Sequence, residues 1–309
     1  MEKNSHSTVT CQDLFPSVGI TSANRLYVIG NGFDIHHKIK SRYIDFKSWL
    51  QENKNDRLIG MMDMFFSNEH KFWSDIEKAL GEYDEKLITD FCEPICSSDF
   101  KYDHPTQWQA GLEDSISFVF GDIMDEFRHV FEEWVKNIDI DNVDIDLQMP
   151  QDSKYLSFNY TETLEKSYGI PAQNILHIHG SRLQTDDSFI IGHNIHRDVD
   201  EPFEDDGQLL PYQNAYSSVI DVMNEWNKGI DGNIETNKTF FQSLSNCKGI
   251  SVIGVSYNDI DMPYLKAVVN SVAPDTKWIL YYYSIDDMRN AIRAASILDL
   301  TGYKLKEFD

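Results

Sequence analysis

The chain has 309 residues, 41% of them hydrophobic and 13% aromatic, with 16 Gly and 9 Pro, a composition that can bury a core and excludes global disorder. Its 27 Lys and Arg face 51 Asp and Glu, and the resulting charge of −24 repels a nucleic-acid backbone and an anionic membrane surface alike. A small anionic ligand stays open, since it needs only a local pocket of backbone N–H donors.

Residues 1–24 read as a polar lead-in without the basic and apolar regions of a secretory signal. Leu26–Ile29 is a short apolar run ending in Gly30-Asn31-Gly32, the pattern of a buried strand that opens an α/β unit. Similar runs at Tyr155–Phe158, Ile175–Ile178, Phe189–Ile191, Ile250–Ile253 and Trp278–Tyr283 predict further strands, buried on both faces of a largely parallel sheet. Between the first and second runs the apolar residues recur at helical spacing. Leu112, Ile116, Val119, Ile123, Phe127, Val130 and Trp134 follow one another by three or four. The acidic run from Asp139 to Asp146 mimics a calcium loop, but Val143, Asp144 and Pro150 stand where that loop needs an oxygen ligand, Gly and Glu. A solvated connector is expected there. The last helix is expected over Ile285–Leu298, where Ser284 and Asp287 have capping-box spacing.

The expected fold is α/β, a Rossmann-like and largely parallel sheet flanked by helices. It forms one domain over residues 25–309, with a large helical insertion after the first strand at about 47–150 and a second insertion at about 196–245. No apolar run reaches the roughly 18–20 residues that span a bilayer. Cys11, Cys92, Cys96 and Cys247 form neither a disulfide framework nor a four-thiolate zinc site, so free thiols in a reducing cytoplasm are expected.

Four segments put polar residues at strand ends, where open α/β sheets bind ligands. Gly30-Asn31-Gly32-Phe33-Asp34 is either a plain tight turn or a glycine turn whose N–H groups meet an anion; Ile35 breaks the dinucleotide fingerprint. In Phe158-Asn159-Tyr160-Thr161 the Asn either caps a helix or offers an amide that holds a sugar or positions water. His177 and His179 would share a strand face, with His193 the easiest third member of a metal site, but a histidine beside Gly180 reads better as a general base or hydrogen-bonding group. Gly254-Val255-Ser256 suggests a serine hydrolase, yet Asn258 replaces the second elbow glycine and the histidines precede the serine. Ser256 is therefore expected to contact a ligand, and Asp261 either grips ribose hydroxyls or caps a helix.

Together these segments resemble the AbiH family of bacteriophage abortive-infection proteins. The resemblance continues through His37, Tyr43 and Phe46, through Trp73 and Glu77, and through Leu164-Glu165, Ile178-His179-Gly180, Gly192-His193-Asn194, Gly254–Tyr264 and Trp278–Ser284. It departs at Lys38, where the family commonly has Gly, and at Ser41, where Thr is usual. AbiH proteins are in turn similar to sirtuin-like domains, and that likeness implies NAD as substrate. Gly30 and Gly32, with Asn31, Phe33 and Asp34, would bind the nucleotide; Asn159 and His179 would sit at the nicotinamide ribose; Gly254, Ser256 and Asp261 would make the remaining contacts. Thr161 stands where sirtuin deacylases carry Asp, and the four-cysteine zinc module is missing. The expected activity is thus metal-free NAD hydrolysis during phage infection by a cytoplasmic homo-oligomer, released by a phage-derived trigger or partner. A nucleotide sensor without catalysis is one alternative. A metal-dependent hydrolase or nuclease using Asp34, Asp259 and Asp261 is the other, although the charge disfavours nucleic acid.

Overall fold

The computed structural model describes residues 21–66, 72–99, 105–141, 143–182, 189–198 and 213–308. The chain divides into two compact units, one of residues Met1–Arg42, Val135–Ile190 and Ile230–Asp309, the other of Tyr43–Trp134 and Ile191–Gly229.

The first unit is built on six strands: β1 (Arg25–Ile29), β2 (Lys154–Ser157), β3 (Ile175–His177), β4 (Gly249–Ile253), β5 (Lys277–Tyr282) and β6 (Tyr303–Glu307). They lie in the order β3-β2-β1-β4-β5-β6, and each neighbouring pair is parallel. β1 and β4 are buried along their whole length because apolar side chains on both faces pack into separate cores. Leu26, Val28, Leu156, Ile250, Val252 and Leu280 face one side, Tyr27, Ile29, Tyr155, Ile279 and Tyr281 the other. Tyr27 and Tyr155, paired in register, stack with ring centroids 5.2 Å apart. The order reverses between β1 and β4, and in such sheets ligands bind outside the carboxyl ends of the strands at that point.

Two strand expectations change. Phe189–Ile191 is not a strand; Ile190 N–H donates to His179 O at 2.9 Å and the segment is a buried loop. Apolarity reports burial and does not by itself select a strand. β6 was not expected, because Tyr303-Lys-Leu-Lys-Glu307 carries the charges and partial exposure of an edge strand. The final helix runs over Ile285–Ile297 with Ser284 Oγ accepting from the Asp287 N–H.

The second unit is helical in its described residues, with helices such as Tyr43–Glu52, Asp56–Phe65, Ile76–Gly81 and Gln213–Asn224. Phe46 sits in an aromatic core against Trp73, Phe127, Phe131 and Trp134, with centroids 5.1–6.0 Å away. The long periodic run is interrupted by a π-turn at Ile116–Phe120 before the helix Gly121–Asn137. The wider turn shifts the apolar face by part of a turn, so Phe120 is buried where the periodicity marked Val119. Cys92 and Cys247 are buried free thiols, whereas Cys11 and the Cys96 side chain lie outside the described residues. Among the described residues no helix is long and apolar enough to cross a membrane.

Candidate functional site

At the switch point the backbone itself fills the crevice between β1 and β4. Gly30 N–H donates to Ile253 O at 2.9 Å and Gly32 N–H to Gly254 O at 2.8 Å, while the short helix α1 (Asn31–His36) begins in the same turn. Gly254 has φ +69°, and a Cβ there would stand 2.3 Å from Phe33 N and 2.7 Å from Gly32 C. A Cβ on Gly30 or Gly32 would meet Gly254 backbone atoms at 2.5 or 2.6 Å. Glycine is thus required at all three positions because two chain segments touch. This corrects the expected anion cradle: the Gly30 and Gly32 donors are engaged by β4 and its loop, and Phe33 N–H donates to Gly30 O at 2.9 Å. The Asn31 amide is likewise held locally, donating to Ser41 O at 3.0 Å and accepting from Ser41 Oγ at 2.5 Å.

Beside this contact lies a buried polar network. Asp34 is 1% exposed and accepts from Thr161 Oγ1 at 2.5 Å and from Thr163 Oγ1 at 3.0 Å. Burial pushes its pKa up to about 6, against the lowering effect of both hydroxyls, of the Asn159 side chain and of the His177 charge. Asn159 follows β2, and because a carboxylate only accepts, its amide presents Nδ2 to Asp34. The other amide atom, Oδ1, is buried and has no hydrogen-bond partner among the described residues. The Asn159 backbone is fixed too: its N–H donates to Ser157 Oγ at 3.2 Å and its carbonyl accepts from His177 Nδ1 at 2.9 Å.

His177 Nε2 in turn donates to Glu165 Oε1 at 2.9 Å. Burial alone would lower the His177 pKa; the Glu165 hydrogen bond and charge and the Asn159 carbonyl outweigh it, and the pKa is raised. Both ring nitrogens of His177 are thus committed within the protein, and His193 is likewise engaged by Met223 O and the Ile195 N–H. Among the described residues His177, His179 and His193 do not gather into a metal-binding group. His179 is buried, its ring against Phe158 and Tyr264 at 5.4 and 5.5 Å. Asn233 Nδ2 fixes that wall by donating to Tyr264 Oη at 3.1 Å and to Ile178 O at 2.7 Å.

The fourth segment forms the loop after β4. Ser256 is exposed, and Tyr257 is buried in the left-handed region at φ +57°. Arg293 secures the loop from the last helix, through Tyr257 O at 2.9 Å and Asp259 Oδ1 at 3.0 Å. Asp261 stands at the N-cap position of the helix Met262–Ser271, and its side chain makes no capping bond. Asp34, Asp259 and Asp261 do not gather into a metal-binding group; among the described residues the group that does is His36, His37 and Asp146.

A family model described as "Bacteriophage abortive infection AbiH" matches residues 26–282. The chain belongs to the AbiH family. No curated protein and no solved structure matches it. The AbiH match spans residues that do different work in the two units. In the helical unit, Trp73 Nε1 donates to Asp63 at 2.5 Å, Glu77 pairs with Lys228 Nζ at 2.6 Å, and a Cβ on Gly192 would lie 1.9 Å from Trp226 O. These are packing positions. Lys38 has φ +62° and closes α1 as a Schellman motif, with Lys38 N–H donating to Ile35 O and Ile39 N–H to Asp34 O. Glycine would adopt that left-handed backbone without the steric cost a lysine pays.

Sequence reasoning did not assign Thr163, Glu165 or His177 to the network around Asn159. The signals were present in Thr161-Glu162-Thr163 and in a histidine two residues before His179, but the pairing of Thr163 with Asp34 spans 129 residues.

Proposed function

We propose that this AbiH protein is an abortive-infection effector that hydrolyses NAD to nicotinamide and ADP-ribose, depleting NAD when phage infects. The observation that carries this reading is Asn159 Oδ1, a buried acceptor fixed by Asp34 on its own amide and by His177 on its backbone. An acceptor held in this way suits a ribose hydroxyl or a water molecule, the two groups that glycosidic hydrolysis must orient.

In the reaction the bond from C1′ of the ribose to the nicotinamide nitrogen breaks, the electron pair leaves with nicotinamide, and an oxocarbenium-like ribosyl cation develops. Water attacks C1′, forms the new C–O bond and loses its proton. Asn159 orients the ribose and that water, and His179 binds a ribose hydroxyl or takes the proton. Asp34 supplies negative charge near the developing cation. Ser256 and Asp261 make further nucleotide contacts from the loop after β4, and Gly30, Gly32 and Gly254 shape the floor. Membership of the AbiH family supports the infection setting. A homo-oligomer awaiting a phage-derived signal is the form in which such an activity is held off in healthy cells.

The test measures NAD, nicotinamide and ADP-ribose with the purified protein and in infected cells. Asn159→Ala should lower turnover by about 10²–10⁴ while the far-UV spectrum is unchanged. Unchanged turnover in that variant, or steady NAD in cells that are nonetheless protected, overturns the reading.

A further inference from the structure

The C-terminal end of α1 carries two consecutive histidines that the network around Asn159 does not use. His36 Nε2 lies 2.7 Å from Asp146 Oδ2, His37 Nε2 lies 3.7 Å from Asp146 Oδ1, and the three ligand atoms fall within 4.8 Å of one another. We propose that His36, His37 and Asp146 form a binding site for a borderline divalent transition-metal ion of the Zn²⁺ or Fe²⁺ class.

The tautomer of His37 is the first argument. Its Nδ1 is 2.7 Å from Phe33 O, a carbonyl that only accepts, so the ring proton is on Nδ1 and Nε2 keeps a lone pair, with Asp146 Oδ1 3.7 Å away. Metal-ligating histidines are oriented in this way, with the remote nitrogen donating to a backbone carbonyl. Tyr168 Oη, 2.5 Å from the same Nε2, is the donor a metal ion would displace.

Spacing and rigidity are the second. Two ligands at about 2.0–2.1 Å from a tetrahedral ion stand about 3.4 Å apart, and the distances of 2.7 and 3.7 Å bracket that separation. The Schellman motif at Lys38 and Ile39 fixes the backbone that presents both rings. Two imidazole nitrogens and one carboxylate match the donor set of zinc and non-haem iron sites rather than the all-oxygen sets of Ca²⁺ and Mg²⁺.

The side chains run from 0% exposed at His37 through 15% at His36 to 54% at Asp146, so one side faces solvent. A bound ion would complete its coordination there with water or an anionic oxygen. The acidic connector that fails as a calcium loop thus provides Asp146 to a different kind of site.

The experiment uses the full chain, stripped with chelator and titrated with Co²⁺ by visible absorption and with Zn²⁺ by calorimetry. The expected result is one ion per chain, with affinity lowered at least about 10-fold in both Asp146→Asn and His36→Gln, and no response to Mg²⁺. Binding of equal strength in both variants places the ion elsewhere and overturns the proposal, as does a wild-type chain that gives no Co²⁺ absorption band. If a variant fails to fold, the wild-type thermal midpoint decides: it must rise with Zn²⁺ and not with Mg²⁺. The readout is ion binding, so it stands or falls separately from NAD hydrolysis.

Discussion

The contact between Gly254 and the Gly30–Phe33 turn sets the geometry of the switch point, and Gly254→Ala tests it. An L-residue in the left-handed region costs roughly 1–2 kcal/mol. The new Cβ would also lie 2.3–2.8 Å from Phe33 N, Gly32 C and Gly32 Cα, all backbone atoms that cannot rotate away. Overpacking of that kind adds about 1–3 kcal/mol, giving about 2–5 kcal/mol in all. Gly169→Ala is the internal control. It has φ +66°, but its neighbour is the Gln151 Nε2 at 3.3 Å, the far end of a flexible side chain, so only the backbone cost applies. Equilibrium urea unfolding followed by circular dichroism reads the difference. At a slope of about 2 kcal/mol/M, a loss of 3 kcal/mol lowers the midpoint by about 1.5 M. Equal shifts for the two variants would refute the claim that chain-to-chain approach, rather than backbone conformation alone, demands glycine at 254.

Lys38→Gly removes left-handed strain from the end of α1, and after the added unfolded-state entropy should stabilise by about 0.5–1 kcal/mol in the same assay. Lys228→Met leaves the largely buried Glu77 without its cationic partner and should destabilise by about 3–5 kcal/mol, part of which Glu77→Gln in the same chain restores. The raised His177 pKa gives a signed pH dependence. Its stabilisation is fully present below the unfolded value of 6.5 and is lost as pH rises through the higher folded value, with a limiting slope of about 1.4 kcal/mol per pH unit. The groups facing it are Glu165, Glu162, the Asn159 carbonyl and Asp34, and Glu165 makes the hydrogen bond that raises it, so Glu165→Gln should flatten the pH profile of urea midpoints above pH 6.5. A slope that survives in Glu165→Gln assigns the dependence to another group.

The fold was legible because β1, β2, β4 and β5 are each dominated by a short apolar run that stops at Gly30, Asn159, Gly254 or Ser284, a pattern that survives without knowledge of their partners. β6 escaped for the converse reason: as an edge strand it packs only Tyr303 and Leu305 on the core, and Lys304 and Lys306 alternating with them leave no continuous apolar run. The candidate site was legible as a set of strand ends, since Asp34, Asn159 and His179 all fall there. Its internal wiring was not. Nothing in the order of residues says that Gly32 donates to Gly254 or that Thr161 and Thr163 close over Asp34, because those contacts join segments more than 120 residues apart. Asp146 lay in a stretch read as solvated connector, and its approach to His36 depends on where that connector crosses α1.

Thr161 beside Asn159 is neutral, and the carboxylate next to it comes from Asp34 in α1, to which Thr161 donates. Asp34 is surrounded by neutral donors and is thereby kept as an acceptor, which turns Nδ2 of the Asn159 amide toward it and leaves the buried Oδ1 on the other side. Asp34→Asn keeps the shape but abolishes this constraint, because an amide both donates and accepts and lets residue 159 settle either way. The burial that raises the Asp34 pKa no longer penalises a charge in that variant, so it should unfold at the same or higher urea concentration than wild type. NAD turnover should nevertheless fall by about 10-fold or more, as a positioning group is lost. A stable Asp34→Asn protein with full turnover would mean that the orientation of Asn159 is set by something other than Asp34, and the role drawn from its buried Oδ1 would fall with it.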